Sequence, residues 1–258
     1  MTDPQALLNL AVRAAHAAGA LLQEAAAGDR TSVESKSSDT DMVTEMDTAS
    51  EELVARTILD ARPEDSLLAE EGTRGDGSTS VRWVVDPLDG TTNYLYGIPE
   101  WTVSIAAEID GEVAVGVVHL PALGETFTAV RGQGARCNGR PLQVLDPPEL
   151  DTALVATGFS YDPEARRRQA GYLRRILPSV RDIRRSGAAS LDLCWVAAAR
   201  VDLYYEWGLK HWDWAAGSLI AAEAGAVVVK QDDDTMVAAP RRLYEPFLRL
   251  LDEARQEA

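Results

Sequence analysis

Three acidic clusters in this 258-residue chain hold the residue types that bind hard metal ions and handle phosphate. The first is Glu70-Glu71-Gly72, after a short apolar run. The second is Asp86-Pro87-Leu88-Asp89-Gly90-Thr91-Thr92-Asn93, which follows Trp83-Val84-Val85. The third is Asp213, within Trp212-Asp213-Trp214-Ala215-Ala216-Gly217. In the second cluster Asp86 closes an apolar strand and Pro87 predicts a sharp exit, which leaves the Leu88 carbonyl free and turns Asp89 back toward Asp86. Gly90-Thr91-Thr92 can open a helix whose first backbone N–H groups face outward, and helix N-termini attract anions, phosphate above all. Mg²⁺ takes oxygen ligands, usually one or two carboxylates together with substrate phosphate. Carboxylates beside an anion cradle repel its occupant unless a cation lies between them. Each cluster alone also fits a blander role, since Asp-Pro and Asp-Gly form turns and a lone Asp caps helices. Their combination favours the metal.

The surrounding pattern supplies elements to position them. Asp3-Pro4 is a good helix start. Leu7, Ala11, Ala14, Ala18 and Leu21 then recur at helical spacing until Gly28. Residues 29–43 are polar and predict a loop or short hairpin. A second helix is expected from Thr44 to Arg62, stopped by Pro63. Ser66 to Glu70 and Arg82 to Asp86 fit short strands. Residues 101–109 and 112–120 fit a hairpin turning at Asp110-Gly111, with more strand and turn over 124–145. From about 150 strands and helices alternate: strands 152–157, 180–184, 201–206 and 225–230, and helices 163–177, 188–200 and 213–224. A last helix spans 241–256 on Leu243, Phe247, Leu250 and Leu251. Antiparallel β first and α/β later predict an α/β layered sandwich in two lobes, about 1–147 and 148–258, meeting near Asp146-Pro147-Pro148.

Composition narrows the function. Lys plus Arg number 25 against 41 Asp plus Glu, a net charge of −16. That balance argues against a phosphate-backbone grip on nucleic acid and against anionic lipid surfaces. No segment approaches the ~18 apolar residues of a membrane span, and no basic segment followed by an apolar run marks a signal peptide, so a cytoplasmic location is expected. Cys137 and Cys194 lie far apart and predict small apolar packing residues, not a thiolate metal site. His16 and His119 fit structural roles, and His211 a polar role at a helix entry.

At this point the sequence resembles the inositol monophosphatase family, within the lithium-sensitive, magnesium-dependent phosphatases that include fructose bisphosphatases. The matching stretches are Asp41-Met42-Val43-Thr44-Glu45-Met46-Asp47, Glu70-Glu71, Trp83 through Tyr94, Arg185-Ser186-Gly187-Ala188-Ala189 and Trp212 through Gly217, in the family's order and spacing from about Lys36 to Gly225. The resemblance implies the α-β-α-β-α sandwich of that family, a homodimer, and a phosphomonoesterase that uses a metal-activated water. Two or three Mg²⁺ ions would be held by Glu70, Asp86, the Leu88 carbonyl, Asp89 and Asp213. Glu70 and Thr91 would orient and deprotonate the water, with Asp47 behind the Thr91 hydroxyl as a relay. Phosphate would sit on the Gly90 and Thr91 N–H groups beside Asp89 and Asp213. Gly187, Ala189 and Glu206 would meet the polyol. Ala188 stands where the family often has Thr or Ser, which removes one possible substrate hydrogen bond. Lys36 and Glu71 are further candidates around the metal shell, and Trp212 a buttress for Asp213.

Inositol 1-phosphate is the expected substrate. Histidinol phosphate is the runner-up, because such a site grips mainly phosphate. The absence of Lys-Glu after Gly90-Thr91 disfavours the branch that hydrolyses 3′-phosphoadenosine 5′-phosphate. A non-catalytic binding or regulatory relative is the alternative from another class, since some bacterial relatives associate with transcription machinery.

Overall fold

The structure is a computed structural model, and it describes residues 2–26, 33–35, 42–145 and 149–257. Seven helices and fifteen strands run in chain order among these. Helix α1 (Pro4–Ala26) is followed by the small hairpin β1 (Val33–Ser35) and β2 (Met42–Thr44), then α2 (Glu45–Ala61). Next come β3 (Ser66–Ala69), β4 (Arg74–Gly75), β5 (Val81–Asp89) and the six-residue α3 (Thr91–Tyr96). The strands β6 (Thr102–Ile109), β7 (Glu112–Leu120), β8 (Glu125–Val130), β9 (Ala135–Cys137) and β10 (Arg140–Pro141) follow. The chain continues through β11 (Leu154–Thr157), α4 (Pro163–Ile176), β12 (Asp182–Arg184) and α5 (Ala189–Ala197). It closes with β13 (Leu203–Trp207), α6 (His211–Glu223), β14 (Val227–Lys230), β15 (Thr235–Ala239) and α7 (Arg241–Glu257).

Eight strands form one sheet in the order β10-β9-β8-β7-β6-β5-β3-β4, and five form another in the order β12-β11-β13-β15-β14. Helix α1 buries Leu7, Leu10, Ala11, Ala14, Ala18 and Leu22 with α2 against Trp83, Val85, Val103 and Ile105 of the large sheet. The opposite face of that sheet, through Val84, Ala106, Val118 and Phe127, meets Ala215, Ala216 and Ile220 of α6 and Cys194 of α5. Leu193 and Val196 of α5 pack in turn on Tyr204 and Ala238 of the small sheet. Its far face, through Val155, Leu203 and Tyr205, takes Phe247, Leu250 and Leu251 of α7. The result is five layers, helix, sheet, helix, sheet, helix, with α5 and α6 shared between the sheets. Covered on both faces, β6 is buried at all but its last residue, as a central strand must be.

Several expectations hold closely. The Asp110-Gly111 turn joins β6 to β7 with both residues at positive φ, 53° and 84°, as a tight hairpin with right-handed strand twist requires. Two differ. Strand β5 does not stop at Asp86 with a sharp exit at Pro87. It runs on to Asp89 through a bulge, with Asp86 opposite Ser104 and Asp89 opposite Thr102. The second difference is β15, which the sequence reading left out. It pairs antiparallel with both β13 and β14, so the small sheet is mixed. The expected lobe junction at Asp146-Pro147-Pro148, the helix stop at Gly28 and Lys36 lie outside the described residues. Among the described residues no helix is long and apolar enough to cross a membrane.

Candidate active site

Strand register brings the acidic clusters together. β3 runs parallel to β5 with Ala69 opposite Val85, so Glu70 continues into the place beside Asp86, its N–H donating to the Val85 carbonyl at 3.2 Å. Side chains three residues apart on a regular strand point to opposite faces. The β5 bulge inserts one residue between Asp86 and Asp89, so both face the middle helices. Pro87 sits in the bulge, where its missing N–H is tolerated. The Leu88 N–H turns back to Asp86 Oδ1 at 3.1 Å. In the small sheet β11 is parallel to β13, with Thr157 opposite Tyr205. The next positions, Gly158 and Glu206, therefore face each other toward the same middle layer. A Cβ on Gly158 would lie 2.1 Å from the Glu206 carboxylate, so this place in the sheet admits Glu206 only because position 158 has no side chain.

The middle helices complete the arrangement. Asp89 Oδ2 accepts from the Ser190 N–H at 2.8 Å and the Ser190 hydroxyl at 2.6 Å, at the start of α5. A carboxylate there satisfies N–H groups that the helix itself leaves open. Asp213 in the first turn of α6 accepts from the Lys210 N–H at 2.6 Å. It is thus the helix cap that the sequence allowed, and it is also part of the site.

One cavity of about 550 Å³ is lined by Glu70, Asp86, Asp89 and Asp213, by Leu88, Gly90 and Thr91, and by Gly187, Ala189 and Glu206. Each residue given a catalytic, metal-binding or substrate-binding role from the sequence lines it except Asp47, which is fully buried. The Thr91 hydroxyl lies 3.1 Å from both Asp47 Oδ1 and the Leu88 carbonyl. Gly90 at φ 92° carries the chain into α3, and a Cβ there would meet the Glu100 carbonyl at 2.9 Å. Glu71 and Trp212 also line the cavity.

The electrostatics are those of a crowded anionic site. Burial, then the charges of Glu70, Asp89 and Asp213, hold the Asp86 carboxyl well above the usual range. A hydrogen bond between it and Glu70 adds to this, and it needs a proton on one of the two carboxyls. Burial likewise raises Asp213, with Asp89 the next cause. Asp89 is pushed up to about 6 by burial against the opposing Ser190 bonds. Glu206 is pushed up to about 7 by burial, opposed by the bond from Tyr204 Oη at 2.7 Å and by Arg185. Buried like charges favour either protonation or a bound cation.

The donor set suits a hard divalent ion: four carboxylates and a backbone carbonyl, all oxygen, with no thiol or imidazole. Among the described residues no three such side chains already close on a single point. The acids instead stand around an open cavity, which fits a metal that shares its coordination with substrate and water.

Sequence reasoning gave no role to four contributors. Buried Glu51 of α2 accepts from the Glu71 and Thr73 N–H groups at 2.7 and 2.8 Å and so shapes the loop after Glu70. Asn93 donates to the Glu100 and Ser186 carbonyls at 2.6 and 2.8 Å, tying α3 to the segment before Gly187. Arg185 and Lys210 add cationic groups to the cavity wall. Position 188 needs correction. Ala188 is buried, outside the cavity lining, and its Cβ lies 3.3 Å from where a Gly90 Cβ would be. The methyl packs on the Gly90 turn and does not face the substrate space, so the missing hydroxyl leaves no gap in the polyol contacts. The rings of His16 and His119 meet at 4.5 Å between α1 and β7, tilted by 54°, as structural histidines.

A model of the inositol monophosphatase family matches residues 3–255. The Haemophilus influenzae protein named Nus factor SuhB is 39% identical over 252 residues, 94% of each chain. The Mycobacterium tuberculosis protein named inositol-1-monophosphatase SuhB is 46% identical over 206 residues, 76% of this chain and 71% of its own. The crystal structure of extragenic suppressor protein suhB from Bartonella henselae superposes with a TM-score of 0.91 at 35% identity, over 96% of this chain and 99% of that one.

Proposed function

The chain belongs to the inositol monophosphatase family, and from that membership we propose that it is a Mg²⁺-dependent phosphomonoesterase converting inositol 1-phosphate, or a related inositol monophosphate, to inositol and phosphate. The observation that carries this reading is the convergence of Glu70, Asp86, Asp89 and Asp213 on the cavity that also holds Thr91 and Glu206. The four acids and the Leu88 carbonyl would hold two or three Mg²⁺ ions. Bound there, Mg²⁺ supplies Lewis-acid chemistry, neutralising phosphate charge and easing deprotonation of the attacking water.

The chain's own groups do the rest. The Thr91 proton is directed at Asp47 and Leu88 acceptors, so the lone pairs of Oγ remain to accept a proton from water as its own passes to Asp47. A threonine alone is a poor base, and the buried carboxylate behind it supplies the basicity. Glu70 orients the same water. Phosphate oxygens sit on the Gly90 and Thr91 N–H groups. One Glu206 oxygen takes the Tyr204 hydroxyl, leaving the other for a polyol hydroxyl, with Gly187 and Ala189 lining that side.

The deciding experiment is phosphate release from inositol 1-phosphate and from histidinol phosphate, each with and without Mg²⁺. Faster Mg²⁺-dependent turnover of the inositol ester supports the proposal. The reverse order moves the chain to the histidinol phosphate reading. Relatives named Nus factor SuhB favour a second reading, a non-catalytic role, which absence of metal-dependent release from either ester would support.

Two expectations follow for the folded protein. A carboxyl whose folded pKa exceeds its unfolded value stabilises the fold below about pH 4 and loses that contribution as pH climbs through the folded value. For Asp89 and Glu206 that loss continues through about 6 and about 7. Metal-stripped protein is therefore expected to melt lower at about pH 8 than at about pH 5, and Mg²⁺, which competes with protons, to raise the melting temperature more at the higher pH. Equal Mg²⁺ increments at both pH values would contradict the shared site. Gly158→Ala should displace Glu206 and raise KM for the polyol ester while changing kcat little. An unchanged KM in steady-state assays would remove Glu206 from the substrate contacts.

A further inference from the structure

Arg82, Glu108 and His211 form a strut that the proposed chemistry leaves without a role. Glu108 projects from β6 and is 2% exposed. One of its oxygens accepts from Arg82 Nε on β5 at 2.6 Å, and the other pairs with Nε2 of His211, the first residue of α6, at 2.5 Å. Beside Glu108 the β6–β7 ladder carries a one-residue bulge, with Ala107 opposite Val115 and Glu108 opposite Val113. The His211 ring also meets the Trp214 ring edge to face at 4.5 Å. A carboxylate this buried is costly to keep unless both its oxygens are partnered.

The ends of the strut are informative. Arg82 stands four residues before Asp86 on β5, on the same face of the strand. His211 stands two residues before Asp213 on α6. The strut therefore ties the strand that delivers Asp86 and Asp89 to the helix turn that delivers Asp213. The Lys210–Asp213 bond is local to the helix turn and fixes nothing across that distance.

We infer that Glu108 and His211 are positioning residues, which hold the first turn of α6, and Asp213 with it, at a fixed distance from Asp86 and Asp89. The inference rests on the proposed metal site. Groups that orient metal ligands without touching the metal typically change affinity 10–100-fold when removed.

The test is Mn²⁺ titration of metal-stripped protein, followed by electron paramagnetic resonance, beside the Mg²⁺ dependence of phosphate release. His211→Phe keeps the ring against Trp214 and loses the bond to Glu108. It is expected to raise the Mn²⁺ Kd about 10-fold or more, with kcat at saturating Mg²⁺ changed far less. His211→Gln, which can still bond to Glu108, should restore most of the affinity. A lowered melting temperature with wild-type Mn²⁺ affinity would overturn the inference and leave the strut a packing feature. If His211→Phe does not fold, Glu108→Met keeps the bulk, loses both bonds and gives the same readout with the same expectation. A wild-type protein that binds no Mn²⁺ would overturn the metal reading and this inference together, whereas a binding wild type with an equally tight variant overturns this inference alone.

Discussion

Asp89→Asn is expected to lower kcat/KM by about 10³-fold or more, on the order of 4 kcal/mol of transition-state stabilisation, without unfolding the protein. The amide oxygen can still accept from the Ser190 N–H and hydroxyl, which now bond to Asp89 Oδ2, so the start of α5 keeps its cap. The amide nitrogen would then point into the cavity, placing a donor where the proposed metal needs an acceptor. The same change removes one charge from a group of mutually repelling acids. The metal-free variant should therefore melt no lower than the metal-free wild type. Phosphate release and thermal melting check the two halves of this expectation. Near-normal turnover with an intact fold would end the assignment of Asp89 as a ligand.

Thr91→Ala should act through a different kinetic constant. In the proposed reaction, loss of the hydroxyl removes the group between the attacking water and Asp47, and a positioned proton acceptor contributes about 10²–10⁴-fold, so kcat should fall by about that factor. KM should move little, because the proposed phosphate seat on the backbone N–H groups survives. Asp47→Asn keeps an acceptor for the Thr91 hydroxyl, now at 3.1 Å, but supplies no basicity, and should reproduce most of the kcat loss. A mutant whose KM rises while kcat holds would assign Thr91 to binding, not to proton transfer.

The acids were legible in the sequence because each follows an apolar strand or opens a helix, and the resemblance fixed their order. How they converge was not. Asp86 and Asp89 share a face only through the β5 bulge, which depends on where Thr102 and Ser104 pair across the sheet, and local pattern is silent on pairing. Pro87 was read as an exit because proline usually leaves a strand. Strand β15 is short and follows Asp232-Asp233-Asp234, so it passed for the tail of a loop. Glu51 lies mid-helix among polar neighbours and gives no local sign that it faces the Glu71–Thr73 loop. Ala188 was assigned a face by analogy, but the entry angle of α5 turns its methyl toward Gly90. The layers themselves follow from periodicity, which is why the helices fell within a few residues of their expected bounds.

The extra residue in β5 also makes the count of residues a constraint in its own right. Deleting one position between Asp86 and Asp89 would restore an unbroken ladder with β6 and keep both acids on one face, but it would remove the extra residue through which a backbone carbonyl reaches the cavity. Leu88 contributes a main-chain oxygen to one side of the sheet and an apolar side chain to the other, so its identity matters to the interior and its presence to the chemistry. Insertions and deletions here should therefore be purged more strictly than substitutions, and lineages of this enzyme should keep the spacing of these two acids even where the intervening side chains drift.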